Sequence, residues 1–425
     1  MTPNSVVIVN SYGSVNGGAT RVAIDEAVGL ADRGISVIYF SSVGPVSEEL
    51  RSRNIRVISL EQRDLISGDR SLTVAFQGLW NVNAYDAMSD VLKSLSPNET
   101  VIHVHGVSHA LSASPIRCAL RRNFKVVSSL HDYFFACPNG AFFDFRECKE
   151  CSLRAMSLSC VTRNCDKRSY SHKLYRLLKT DVQRRVCGVP GDLKYFIALS
   201  SQSIKKISPY LPRNSKIYSL PNPSLVSKRP PVDLLQNREI VAIGRLDPEK
   251  GIELLVEAGQ IANLRILFIG DGPLRRVAEA AGLNEVTGWL PRAELLNRLE
   301  TARCVVFPSL WPETFGLTVM DAAARGIPSI VSDITGIAER VEHGVTGLHV
   351  QAGNREQLAA SLRATQDADT MAAFGGAAYA RFWQSPLTQN NHVDHLLEIY
   401  GDMLTDRSLS SIVGRHITDR AHIRR

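Results

Sequence analysis

Four side chains in the second half of the chain have the types and spacing to hold a diphosphate and the hydroxyl groups at its two ends. Arg245 and Lys250 lie five residues apart in GRLDPEKG, a turn that follows the apolar run EIVAIG. A planar guanidinium fork and a point-charge ammonium at one turn can grip a diphosphate, although the same charges also suit a solvated, helix-capping loop. Glu313 and Asp321 lie eight residues apart in RCVVFPSLWPETFGLTVMDAAARG. Asp321 falls in an apolar, Ala-rich helix, where a carboxylate calls for a partner. With that helix starting near Gly316, the two acids share one side at a separation of about 10 Å. A glycosidase pair working on one bond needs about 5–9.5 Å, so the spacing argues against hydrolysis. It suits two hydroxyl-bearing ends of one extended ligand, with a helix N-terminus offered to an anion between them.

Positioning such groups needs a sheet, and the pattern supplies two. From Val6 to Leu220 short β-branched runs (6–9, 37–40, 57–60, 101–104, 125–130, 196–199) alternate with helical stretches such as 19–33 and 172–185. Five prolines from Pro212 to Pro231 then mark a linker. A second series follows, with strand runs at 239–244, 264–270, 286–289, 304–307, 328–332 and 347–350. Helices are expected between them at 252–261, 274–281, 293–301 and 355–366, and a last one at 393–403. This is the grammar of an α/β protein with two Rossmann-like, doubly wound domains facing a cleft. The expected division is a first domain over 1–215, a linker over 216–238 and a second domain over 239–385. A crossing helix over 386–405 and a polar tail over 406–425 complete it. The 425-residue length agrees with two domains.

Other loops fall at the carboxyl ends of expected strands. Gly17-Gly18 precedes a helix and lets backbone approach a phosphate or sugar, or simply makes a tight turn. Arg21 follows, to hold an acceptor or face solvent. IGDGPL offers Gly270 and Gly272 for close approach and Pro273 for the first helical position. His131-Asp132 follows the run KVVSSL, where a functional loop belongs. His103 and His105 share one strand face with no carboxylate nearby in sequence, and read as core or cleft-wall residues. Trp311-Pro312 reads as a rigid loop with an anchored aromatic.

Taken in order, SVNGGATRVA, SLHD, GRLDPEKGIELL, FIGDGPLR, VTGWLPRAEL, PETFGLTVMDAAARGIPSIVSD and GIAERVEHGVTGLHV resemble the retaining glycosyltransferases of family 4, which adopt the GT-B fold. The resemblance covers nearly the whole chain. It implies transfer of a sugar from a nucleotide-diphosphate sugar to a hydroxyl of a glycan or lipid-linked acceptor, with Glu313, His131, Arg245 and Lys250 at the reacting centre. Arg245 and Lys250 would bind the donor pyrophosphate, Glu313 the sugar hydroxyls and Asp321 the ribose. Gly17, Gly18, Gly244, Gly270, Phe315, Gly316 and Leu317 would line the donor site, and Arg21, His131 and Asp132 the acceptor side. The family carries Glu where this chain has Asp321, a side chain shorter by one methylene. Front-face transfer with retention, needing no catalytic metal, is what the resemblance implies.

A cysteine-rich insertion at about 137–165 stands apart from this. Cys148, Cys151, Cys160 and Cys165 follow a C-x2-C-x8-C-x4-C pattern, with Cys137 before it. Four soft ligands would close a structural zinc site; unliganded thiols and a disulfide or redox pair are the other readings. Cys118, Cys187 and Cys304 suit the core. The net charge of +7 fits an anionic ligand or peripheral contact with an anionic membrane. No basic-aromatic motif accompanies it, so nucleic acid is not expected. The N-terminus reads as a first strand rather than a signal peptide, and cytoplasmic residence is expected.

Overall fold

The structure, a computed structural model, describes residues 1–63, 72–108, 110–280, 282 and 284–406. Seven parallel strands build the first sheet: β1 (Ser5–Asn10), β2 (Ser36–Ser41), β3 (Arg56–Ser59), β4 (Thr100–Gly106), β5 (Lys125–Ser129), β8 (Tyr195–Ala198) and β9 (Lys216–Ser219). Their order is β3-β2-β1-β4-β5-β8-β9. A short antiparallel hairpin, β6 (Phe143–Asp144) and β7 (Lys149–Glu150), lies in the insertion after β5. The second sheet comprises β10 (Glu239–Ile243), β11 (Ile266–Ile269), β12 (Glu285–Val286), β13 (Ala302–Phe307), β14 (Ser329–Ser332) and β15 (Gly347–Val350), in the order β12-β11-β10-β13-β14-β15. Its strands are also parallel.

In each sheet the order reverses beside the first strand of the series. Helices leave to opposite faces there, which opens a crevice at the strands' carboxyl ends. Unbroken burial of β13 and of Val6–Asn10 in β1 follows from helices covering both faces. The two faces of the first sheet accordingly bury separate apolar clusters.

One boundary moves and one helix is added. Lys216–Ser219 pairs with β8 as the edge strand of the first sheet, so the connection between domains runs from Leu220 to Arg238 rather than starting at residue 216. A helix at Ala368–Gln384, missing from the helices expected by sequence, follows the helix Arg355–Ala364. The last helix, Gln389–Thr405, returns to the first domain. Its Val393, Leu396, Tyr400 and Met403 are buried in one cluster with Ala23, Ala27 and Leu30 of the helix Gly18–Ala31. Beyond Asp406 the polar tail lies outside the described residues, as does residue 281 of the expected helix 274–281.

Candidate active site

Lys250 and Glu313 are brought together by two loops at the carboxyl ends of β10 and β13. After β10 the chain makes a short 3-10 turn, Pro248–Lys250, ended by Gly251 at φ 72°. A Cβ on Gly251 would stand 2.2 Å from the carbonyl oxygen of Pro308. Only glycine takes that backbone conformation without strain and also lets the two loops touch. The result is a direct pair: Lys250 Nζ donates to Glu313 Oε2 at 2.7 Å, and Ser309 Oγ donates to Oε1 at 2.6 Å. Glu313 is 8% exposed. Lys250 Nζ also sits 5.6 Å from the centroid of the Trp311 ring, which packs against the core of the first domain. Trp311 is therefore the anchored aromatic expected of that loop.

Lys250, Ser309 and Glu313 line an open pocket with Gly244, Arg245 and Phe307. Arg245 has a 62% exposed side chain and lies 2.6 Å from Asp247. Asp247 in turn accepts from Lys167, just beyond the insertion, at 2.8 Å. Gly270 approaches Gly244 and not open space: a Cβ there would lie 1.9 Å from the Gly244 carbonyl oxygen. The close approach expected of Gly270 and Gly272 is thus backbone on backbone, the latter against Leu246.

Asp321 has the partner its burial requires. Arg292 donates to both carboxylate oxygens, at 2.6 and 2.8 Å, and Ser224 Oγ donates to Oδ1 at 2.7 Å. With Asp321 at 1% exposure, these three bonds occupy the carboxylate on which the expected ribose contact depends. Neither Arg292 nor Ser224 was singled out by sequence. Arg292 lies within the VTGWLPRAEL segment, and its position at the start of the helix Arg292–Leu299 was the one available signal. Phe315 is buried, and Gly316 caps the helix Leu317–Ala323 without a side chain to occupy its first-turn amides.

Across the cleft the first domain presents two loops. Gly17 caps the helix Gly18–Ala31, and a Cβ on Gly18 would come within 3.6 Å of Leu317 Cδ1, so this loop reaches the donor-side helix. His131 and Asp132 follow β5. Thr314 Oγ1 donates to the His131 carbonyl at 2.9 Å, and Tyr133 donates to the Pro312 carbonyl at 2.7 Å. The loop of His131 is thus bolted to the loop of Glu313. Burial pushes the Asp132 carboxyl up to about 6, against one opposing bond from the Phe134 amide. Asp132 borders a second, open pocket with His105, Ser129, Phe134 and Gln183. Arg21 does not reach it: it pairs with Asp25 and Glu49.

The cysteines do not gather as a four-sulfur site. Among the described residues the one group of three or more candidate ligand atoms within 4.8 Å of one another contains no sulfur. Cys148 is exposed and Cys151 half-buried, whereas Cys160 and Cys165 are buried beside Lys173. Lys173 Nζ lies 3.0 Å from the Cys165 sulfur and 3.6 Å from that of Cys160. The ammonium thus contacts two of the four candidate sulfurs, and none of these thiols is in a disulfide.

Two parallel Rossmann-like sheets facing a cleft, with a cation-lined pocket on the second, define the GT-B fold. Solved structures agree. A sucrose-phosphate synthase from Thermosynechococcus elongatus superposes with a TM-score of 0.67 at 18% identity, covering 94% of this chain and 99% of that one. Anabaena HepE in complex with UDP-glucose gives 0.64 at 17% identity, with 94% and 99% covered. Residues 229–381 match the family described as Glycosyl transferases group 1. Among curated relatives, the sulfoquinovosyl transferase SQD2 of Arabidopsis thaliana is 33% identical over 147 residues, 33% of this chain and 29% of that protein. O-antigen chain mannosyltransferase C of Escherichia coli is 27% identical over 175 residues, 39% and 47% of the two chains. The matched stretch spans less than half the length of these relatives. No helix among the described residues is long and apolar enough to cross a membrane.

Proposed function

We propose that this chain is a retaining glycosyltransferase that moves a sugar from a nucleotide-diphosphate sugar to an acceptor hydroxyl, in the synthesis of a cell-surface polysaccharide or glycolipid. The observation that carries the reading is the Lys250–Glu313 pair beside Arg245, in a pocket opposite the His131 loop. A diphosphate entering there would meet two cations, Arg245 and Lys250. Those groups stabilise the charge that develops on the leaving diphosphate, so no catalytic metal is required. Glu313 is held by Lys250 and Ser309 and acts by hydrogen-bonding the donor sugar, not as a covalent nucleophile. Retention then follows from front-face attack, with the leaving phosphate taking the acceptor proton and the cleft fixing the anomeric carbon against the acceptor. The ribose would meet the Asp321–Arg292 pair, and His131 and Asp132 would contact the reacting sugar or acceptor.

A lipid-linked acceptor at the inner membrane face fits the exposed Tyr170, Leu174 and Leu178, one helical face of Tyr170–Arg185 with Arg184 and Arg185 at its end. The decisive experiment is a nucleotide-sugar panel scored by thermal stabilisation and by product analysis with and without acceptor. Acceptor-dependent transfer with the donor's anomeric configuration is expected. Sugar isomerisation without acceptor would mark an epimerase. Donor binding without any turnover would mark a non-catalytic binding protein.

A further inference from the structure

Behind His131 runs a chain of buried polar groups that begins at Glu26. The helix Gly18–Ala31 turns Glu26 inward, 2% exposed, toward β4. Its Oε2 lies 3.2 Å from His105 Nε2 and 3.1 Å from His103 Nδ1. Its Oε1 lies 2.9 Å from Nε2 of His392, brought by the last helix. His105 Nδ1 and His131 Nε2 are 2.9 Å apart, and the two rings stack at a 22° interplanar angle.

The short contacts and the charge of Glu26 bias where the protons sit. Two imidazole nitrogens at hydrogen-bond distance share one proton, so one ring donates and the other accepts. Burial alone would raise the Glu26 carboxyl, yet the imidazoles of His105 and His103 hold it well below its ordinary value. An ionised carboxylate only accepts, and although the 3.2 Å approach of Glu26 Oε2 to His105 Nε2 is not aligned as a formed hydrogen bond, its charge favours the neutral His105 tautomer that carries its proton on Nε2 and leaves Nδ1 bare. His131 must then donate from Nε2. Burial also pushes the His131 imidazole well below its ordinary value, so the ring is neutral and has one bare nitrogen.

We propose that Glu26 and His105 are positioning residues that lock His131 as its Nε2–H tautomer, holding its Nδ1 as a hydrogen-bond acceptor for a hydroxyl of the sugar substrate. The substrate part of this rests on the proposed function; the tautomer does not. Glu26 Oε2, His103 Nδ1 and His105 Nε2 also lie within 4.8 Å of one another, as ligands of a metal ion would. His103, however, already bonds through both nitrogens, to Tyr400 at 2.7 Å and Ser129 at 2.8 Å, which favours the proton chain.

Imidazole ¹⁵N shifts of the full-length, histidine-labelled protein test the lock, with His131→Asn assigning the signal. Wild type should show protonated Nε2 and bare Nδ1 at His131. In Glu26→Gln the introduced amide can donate to His105 Nε2, which reverses the chain and moves the His131 proton to Nδ1. Glu26→Asp should restore the wild-type pattern. If Glu26→Gln does not fold, His105→Phe removes the acceptor, and the preference for Nε2–H at His131 should be lost. Overturning results are an Nδ1–H tautomer in wild type, or an unchanged His131 signal in a folded Glu26→Gln or His105→Phe protein. One equivalent of bound divalent metal in the purified wild type, absent from Glu26→Gln, would also overturn it. In transfer assays Glu26→Gln should lower kcat about tenfold while the donor KM stays within about twofold. Full turnover in His131→Asn, with the expected tautomer seen in wild type, would sink the substrate role and leave the lock standing.

Discussion

Lys250 and Glu313, 63 residues apart in sequence, share a 2.7 Å hydrogen bond at the mouth of the donor pocket. The pair has a structural duty as well as the proposed catalytic one, because Glu313 is 8% exposed. Lys250→Met leaves that carboxylate with Ser309 as its remaining side-chain donor, and should destabilise the fold by about 1–3 kcal/mol. Adding Glu313→Gln to Lys250→Met should recover most of that loss. Transfer should stay down by about 10²-fold or more in both, since one electrostatic donor is removed from the leaving group. Denaturant melts beside steady-state rates separate the two effects. Full donor turnover in Glu313→Ala would end the site assignment.

Gly251 is the hinge of that arrangement. At φ 72°, with the Pro308 carbonyl oxygen 2.2 Å from where a Cβ would lie, alanine forces the two loops apart. Gly251→Ala should cost about 1–3 kcal/mol of stability and raise the donor KM, because Lys250 no longer meets Glu313. Gly17→Ala is the control. Nothing lies within 4 Å of its would-be Cβ and its φ of 167° is open to any residue, so stability should change by less than about 0.5 kcal/mol.

The strands were legible because buried parallel strands read as β-branched runs, and the loops at their carboxyl ends followed from that. What failed to read was non-local or weakly patterned. Lys216–Ser219 is an edge strand with its ends exposed, flanked by prolines, so its composition looked like linker. The helix Ala368–Gln384 is rich in Ala and Gly and carries little apolar periodicity. Asp321 announced that it needed a partner, but Arg292 and Ser224 lie 29 and 97 residues away, a distance no local pattern encodes. His103 and His105 likewise had no carboxylate nearby in sequence, and the fold delivers Glu26 from another element. The cysteine spacing offered four soft ligands, but nothing in it pointed to Lys173, which lies outside the motif and contacts the sulfurs of Cys160 and Cys165.

Arg292 carries more structural weight than its half-exposed position suggests. Removing it by Arg292→Ala strands a carboxylate that is 1% exposed, with Ser224 as its last donor. The expected loss is about 3–5 kcal/mol, read as a lower denaturant midpoint with an unchanged slope. Asp321→Asn combined with Arg292→Ala should be milder than Arg292→Ala alone, because no charge is left buried. An Arg292→Ala protein as stable as wild type would show that the pair is held for the ligand alone.

Asp132 gives the chain a pH signature that can be assigned to one residue. Its carboxyl is pushed up by burial to about 6, above its ordinary value of 3.8. The fold therefore favours the neutral acid, and that stabilisation is present below about pH 4 and lost as pH rises through 6. Asp132→Asn keeps an oxygen to accept from the Phe134 amide at 2.9 Å and removes the charge. The variant should be more stable than wild type above pH 6, by on the order of 1–3 kcal/mol, with the advantage vanishing near pH 4. Thermal melts of both proteins from pH 4 to 8 measure this difference, since all other titrations cancel. A gain that grows toward low pH would mean that the Asp132 carboxylate is stabilised in the fold, and the sign of the argument would be wrong.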